Sequence, residues 1–235
     1  MSNEKEIRNY FKNIVKNCSK AIKKDIQIVD EFCGGTMETR MDLALFTKDI
    51  FVAVEIKSDK DNLTRLDNQI RDYSKYASIV LVILDISHKK SFSKYLDKKN
   101  TFSRTHSYVY FYDNGKFDRE FYPDLFVMFA KIERAKNNLY KLLWRDEKKE
   151  LLSFLKGRSK IDLDKGLLSI YTLYELREIC LYILYTRAIN NKDLRDSNCF
   201  KCGEIPEIKY KEYKQILFDG LLLGKDKKCV QGSLL

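Results

Sequence analysis

A chain of 235 residues is long enough for one large domain, or for a core with a smaller helical module beside it. Its 44% hydrophobic content can fill a core and excludes a disordered chain, and its longest apolar stretch, Ile79 to Leu84, is far too short to cross a bilayer. The net charge of +10, from 44 Lys and Arg against 34 Asp and Glu, favours polyanionic partners and suggests nucleic acid without establishing it.

Residues Glu4 to Ile22 read as an amphipathic helix, with Ile7, Phe11, Ile14, Val15 and Cys18 at helical spacing. A short apolar run, Ile26 to Val29, precedes a Gly34-Gly35 break. Arg40 to Phe46 and Ile50 to Lys57 read as two strands joined by the polar turn Thr47-Lys48-Asp49. Asn62 to Tyr76 reads as a helix, and the β-branched run Ile79 to Asp85 as a buried strand reached by a helical crossover. Ser107 to Tyr112 is a further strand, turned by Asp113-Asn114-Gly115 into a return strand over Lys116 to Tyr122.

From about Pro123 the pattern becomes helical, with segments at Leu139 to Leu155, which contains Trp144, and at Thr172 to Ala188. The expected architecture is α/β: a mixed sheet flanked by helices over residues 1–122, with an additional, mainly helical C-terminal region over residues 123–235.

The informative segment is RMDLALFTKDIFVAVEIKSD, residues 40 to 59. Glu55 and Lys57 stand two apart in one strand and so share a face, while Val52, Val54 and Ile56 point the other way. A hairpin about Thr47 brings Asp42 of the preceding strand close to Glu55. Two carboxylates and a lysine on an apolar sheet need compensation, because buried charge without partners is costly. A salt bridge between Lys57 and one acid provides it in one way. A divalent cation provides it in another, with Asp42, Glu55 and the Ile56 carbonyl as ligands and Lys57 orienting an attacking water. Downstream, Arg65, Gln69 and Tyr73 fall along one helical stripe.

On Asp42, Glu55-Ile56-Lys57 and Gln69-x-x-x-Tyr73, the chain resembles the PD-(D/E)xK nuclease superfamily. The resemblance is to its RecB-like branch, which includes small bacterial and phage-associated MmcB-type DNA-repair proteins. It covers residues 25 to 85, with Met41 in place of the proline that names the motif. It implies a restriction-endonuclease-like fold and a Mg2+- or Mn2+-dependent deoxyribonuclease. Asp42, Glu55, Lys57, Gln69 and Tyr73 are then its catalytic residues, and Asp42, Glu55, Ile56 and Glu31 its metal shell, with Glu6 a weaker candidate for the upstream acid. On this reading Asp42→Ala or Glu55→Ala abolishes cleavage and leaves the fold and DNA binding largely intact. The alternative is a catalytically silent protein of the same fold that binds nucleic acid or inhibits a partner protein.

Arg65, Lys89, Lys90, Lys94, Lys98, Lys99 and Arg104 are the candidate DNA contacts; the last six lie in a stretch, Ile86 to His106, where Asp97 is the one acid. His88 and His106 flank this stretch as loop residues. The Tyr108 to Tyr112 aromatics suit a packed strand better than a base-stacking surface. Cys199 and Cys202 have half the spacing of a zinc site, but the second pair is missing, so structural Zn2+ is not expected. The charged opening, MSNEKEIRNY, is unlike a secretory leader, which leads to an expectation of a cytoplasmic protein with reduced thiols. A protein partner or homodimerisation is assigned to the helical C-terminal region, and no membrane partner is expected.

Overall fold

A computed structural model describes residues 2–47, 49–98, 105, 107–118, 137–153 and 162–190. It contains a six-stranded sheet whose spatial order is the chain order: β1 (Gln27–Phe32), β2 (Met41–Phe46), β3 (Phe51–Lys57), β4 (Ile79–Asp85), β5 (Ser107–Asp113) and β6 (Lys116–Phe117). β1 to β3 form an antiparallel meander, β3–β4 and β4–β5 pair in parallel, and β6 returns antiparallel to β5. This is the mixed α/β sheet expected from the hydrophobic patterning.

One sheet face is covered by α1 (Glu4–Ile22), which buries Ile7, Phe11, Ile14, Val15 and Cys18. These side chains join Leu43 and Leu45, Val52, Val54 and Ile56, Ile79, Leu81 and Ile83, and Tyr110 and Tyr112 in one core. The alternation in β3 is the one the sequence predicts: even-numbered residues meet α1, which leaves Glu55 and Lys57 for the opposite face. Asn3 caps α1 by accepting the Glu6 N–H at 2.9 Å, and Lys23 ends it in the left-handed region.

The Thr47 turn is held by its own hydroxyl, which accepts from the N–H groups of Asp49 and Ile50 at 3.1 Å. The 113–116 hairpin has Asn114 and Gly115 at positive φ, as a tight two-residue connection requires. Its return strand ends at Phe117, and residues 119–122 of the expected strand lie outside the described residues.

The crossover helix α2 (Leu66–Tyr73) begins four residues later than its periodicity suggests. Asn62 and Asp61 account for the delay. The Asn62 side chain accepts from the backbone N–H and hydroxyl of Thr64, and Asp61 accepts from the N–H and hydroxyl of Ser58, so this segment is turn rather than helix. A 3-10 turn (Ile86–His88) and α3 (Lys89–Lys98) cross from β4 to β5, with Phe92 edge-on to Phe111.

The predicted helix over Leu139 to Leu155 is broken into a 3-10 turn (Leu139–Leu142) and α4 (Arg145–Leu151). Trp144 stands in extended conformation between them, its N–H donating to Glu147 Oε2 at 2.7 Å. Trp144 is thus the N-cap residue of α4. α5 (Leu163–Ile170) and α6 (Leu173–Asn190) follow. Tyr185 of α6 donates to Asp25 just before β1, at 2.6 Å. Gly35, at φ +46, allows the loop after β1 to approach Lys141 so closely that a Cβ would lie 1.7 Å from its carbonyl oxygen.

Candidate functional site: a self-compensated carboxylate cluster

The site lies where β2 and β3 diverge. Their ladder runs to the Leu43–Val54 pair, and beyond it the Ile56 N–H donates to Asp42 Oδ2 at 2.7 Å. The hairpin therefore brings Asp42 beside β3, as its spacing predicts. Glu55, 1% exposed, is the hub. Its Oε1 accepts from Lys57 Nζ and Gln69 Nε2, each at 2.5 Å, and its Oε2 accepts from the Tyr73 hydroxyl at 2.7 Å. That hydroxyl also lies 2.7 Å from the Arg40 carbonyl oxygen. Asp42, Glu55, Lys57, Gln69 and Tyr73 thus converge, and α2 delivers the last two one turn apart.

A second cluster adjoins this one through α1. The Arg8 guanidinium donates to Glu4, to Glu31 at 2.7 Å, to Asp30 at 3.2 Å and to the Asp42 carbonyl oxygen at 3.1 Å. It also stands 3.9 Å from Asp42 Oδ1. Lys12 pairs with Asp30, and Arg40 with Glu31 at 2.8 Å. Glu6 turns away and accepts from the Tyr112 hydroxyl at 2.8 Å.

Glu4 and Arg8 were not among the sequence candidates. Their i,i+4 spacing is a local signal for a surface pair, but nothing near them in the chain points to β1 and β2. Asp72 was also missed. It is 2% exposed and accepts from the N–H groups of Glu38 and Thr39 and from the Thr39 hydroxyl, all at 2.9 Å, pinning the β1–β2 loop to α2.

Two acids of the expected metal shell, Glu31 and Asp42, converge with Glu4 rather than with Glu55. Among the described residues, the acids that converge closely enough to hold a cation are Glu4, Glu31 and Asp42, with oxygens within 4.8 Å of one another. Glu55 is not in that group, and its oxygens already accept from Lys57, Gln69 and Tyr73. The positive charge among Glu4, Glu31 and Asp42 is supplied by Arg8. The Ile56 N–H donates to Asp42 Oδ2. A guanidinium, an ammonium and neutral donors face these carboxylates.

Burial raises the Asp42 carboxyl from its ordinary 3.8 to about 7, aided by repulsion from Glu55 and opposed by the Ile56 N–H, Lys57 and Arg8. Burial also pushes Glu55 up, against the pull of Lys57 and the donors around it. The sign for stability follows directly. Between pH 3.8 and about 7, folded Asp42 holds a proton that the unfolded chain has released, so its contribution falls as pH rises through that window. Asn at this position keeps an acceptor for the Ile56 N–H and has no charge to desolvate. Asp42→Asn is therefore expected to stabilise the fold by about 1–3 kcal/mol at pH 8 and by almost nothing at pH 4. Urea denaturation at the two pH values checks this; equal shifts at both would remove Asp42 as the titrating group.

The remaining sequence candidates separate by location. Arg65, Lys89, Lys90 and Lys94 are exposed around α2 and α3. Lys98 closes α3, its side chain outside the described residues, as are Lys99, Arg104 and His106. His88 is buried, with Nε2 2.6 Å from the Ser58 carbonyl oxygen, so it ties the two connections together rather than facing phosphate. Cys18 and Cys180 are buried and Cys33 is exposed; Cys199, Cys202 and Cys229 lie outside the described residues.

The class defined so far is a mixed-sheet α/β protein with a buried Glu55–Lys57 ion pair beside Asp42 and exposed cations at one end of its parallel strands. Residues 1–111, from α1 into β5, match the family model for bacteriophage P4 protein cII. No curated protein and no solved structure matches the chain. The cII match overturns the nuclease resemblance. It spans nearly the whole sheet, whereas the PD-(D/E)xK likeness rested on a few positions between residues 42 and 73. With it fall the assignments as a Mg2+-dependent deoxyribonuclease, a hydrolase and a DNA-repair protein, and the Mg2+ or Mn2+ cofactor. No helix among the described residues is long and apolar enough to cross a membrane.

Proposed function

We propose that this chain is a non-catalytic DNA-binding protein, in which the Asp42–Glu55–Lys57–Gln69–Tyr73 network organises the fold and exposed lysines hold the ligand. The observation that carries this reading is α3. It opens on Lys89 and Lys90 and carries Lys94 one turn later, all exposed, while Phe92 packs inward on Phe111 and Leu96 is exposed beside them. Lysines that neutralise phosphates release condensed counterions, and the excess of 44 basic over 34 acidic residues adds long-range attraction to a polyanion. In this reading the sheet-bearing part, residues 1–122, carries the interface. Residues 123–235 are left for packing or for a protein partner.

Fluorescence anisotropy with labelled DNA, in EDTA and in Mg2+, tests the proposal. Binding is expected to be equal in both, the DNA is expected to stay intact, and Lys90→Glu/Lys94→Glu is expected to weaken binding by roughly tenfold or more at moderate salt. Cutting that stops on chelation, or binding that survives the double charge reversal undiminished, would defeat it.

A further inference from the structure

The two connections that leave the carboxyl ends of the parallel strands β3 and β4 touch each other. Tyr95 of α3 donates to Asp67 of α2 at 3.4 Å, and His88 meets the Ser58 carbonyl oxygen. Together they display exposed cations from both sides: Lys60, Arg65 and Arg71 around α2, and Lys89, Lys90 and Lys94 on α3. Arg71 pairs with Asp67 yet stays 62% exposed, and Lys89 reaches Asp118 at 3.4 Å. Among the described residues, Lys60, Arg65, Lys90 and Lys94 have no acidic partner.

Of the acids in these segments, Asp67 and Asp72 are buried, Asp59 is half-buried, Asp61 is exposed and accepts from Ser58, and the Asp97 side chain lies outside the described residues. The rings of this end are turned inward, Phe92 stacking on Tyr95 at 5.6 Å and meeting Phe111 at 5.8 Å. Proteins that grip unpaired strands present aromatic platforms to the bases, and α2 and α3 expose no ring among their described residues.

We infer that α2 and α3 together form a clamp for the sugar–phosphate backbone of duplex DNA, with Lys60, Arg65 and Arg71 on one side and Lys89, Lys90 and Lys94 on the other. This rests on the DNA-binding reading above and adds to it the second helix, the duplex form and a sequence-tolerant mode. Phosphate contacts position a duplex without reading its bases.

The test measures anisotropy of the full chain with a labelled duplex, a shuffled duplex and a single strand across a KCl series. It compares wild type with Lys60→Glu/Arg65→Glu/Arg71→Glu and with the milder Arg65→Gln/Arg71→Gln, each checked for wild-type circular dichroism. The two duplexes are expected to bind alike and more tightly than the single strand. The triple reversal should weaken duplex binding roughly tenfold to a hundredfold, and the slope of log K against log salt should flatten by about one for each phosphate no longer neutralised. The Gln pair should give part of both effects. If both α2-side variants bind duplex as wild type does while Lys90→Glu/Lys94→Glu fails, the clamp is wrong and the DNA-binding reading stands. Tighter binding of the single strand overturns the duplex assignment, and no binding of any DNA overturns both.

Discussion

Glu55→Ala is expected to destabilise the protein by about 3–5 kcal/mol, because it strands a buried lysine rather than removing a surface charge. Lys57 is 6% exposed and Glu55 is its ion-pair partner at 2.5 Å. The truncation also deprives the Gln69 amide and the Tyr73 hydroxyl of their acceptor, in a place where an unsatisfied group is costly. This reverses the expectation that removing a carboxylate here leaves the fold untouched. Glu55→Leu/Lys57→Met removes both charges while keeping the volume, and should recover most of the loss. Urea denaturation at pH 7 compares the three proteins. A single-mutant cost below about 1 kcal/mol would show that Glu55 is not what keeps Lys57 buried.

Glu147→Ala is expected to cost about 3–5 kcal/mol through a different element pair. Arg187 of α6 is 7% exposed, donates from Nη2 to Glu147 Oε2 at 2.5 Å, and lies over the Trp144 ring at 3.8 Å. Its Nε and Nη1 are buried without acceptors among the described residues, where Glu147 is the carboxylate that compensates this guanidinium. Glu147 also accepts the Trp144 N–H that caps α4, and its loss frays that helix. Glu147→Gln/Arg187→Met keeps an acceptor for the cap and removes the buried charge; it should denature within about 1 kcal/mol of wild type. A double variant as unstable as Glu147→Ala would place the cost in packing around Trp144 instead.

The sheet was legible because its strands alternate or run continuously apolar between clear turns, and because a two-residue period in β3 leaves no choice about which side chains share a face. The convergence of Asp42, Glu55, Lys57, Gln69 and Tyr73 followed from the hairpin at Thr47 and from four-residue spacing in α2. The chemistry did not follow. Carboxylates that gather on an apolar sheet look alike whether a cation or the chain's own donors balance them, and the deciding group, Arg8, comes from a helix whose sequence signals only its buried face. Short polar residues set the other limits: Asn62 and Asp61 hold a turn where periodicity suggests helix, and the extended Trp144 splits a segment whose hydrophobic pattern runs through it.

The strand order β1 to β6 has a consequence for how the chain acquires its structure. Each strand pairs with the one made just before it, so no strand must wait for a distant partner or insert between two that have already met. The β1–β3 meander closes over short loops, and each parallel step needs one helical crossover, so the entropy of loop closure is met in small increments. A ribosome releasing this chain from its amino end can therefore build the sheet one strand at a time.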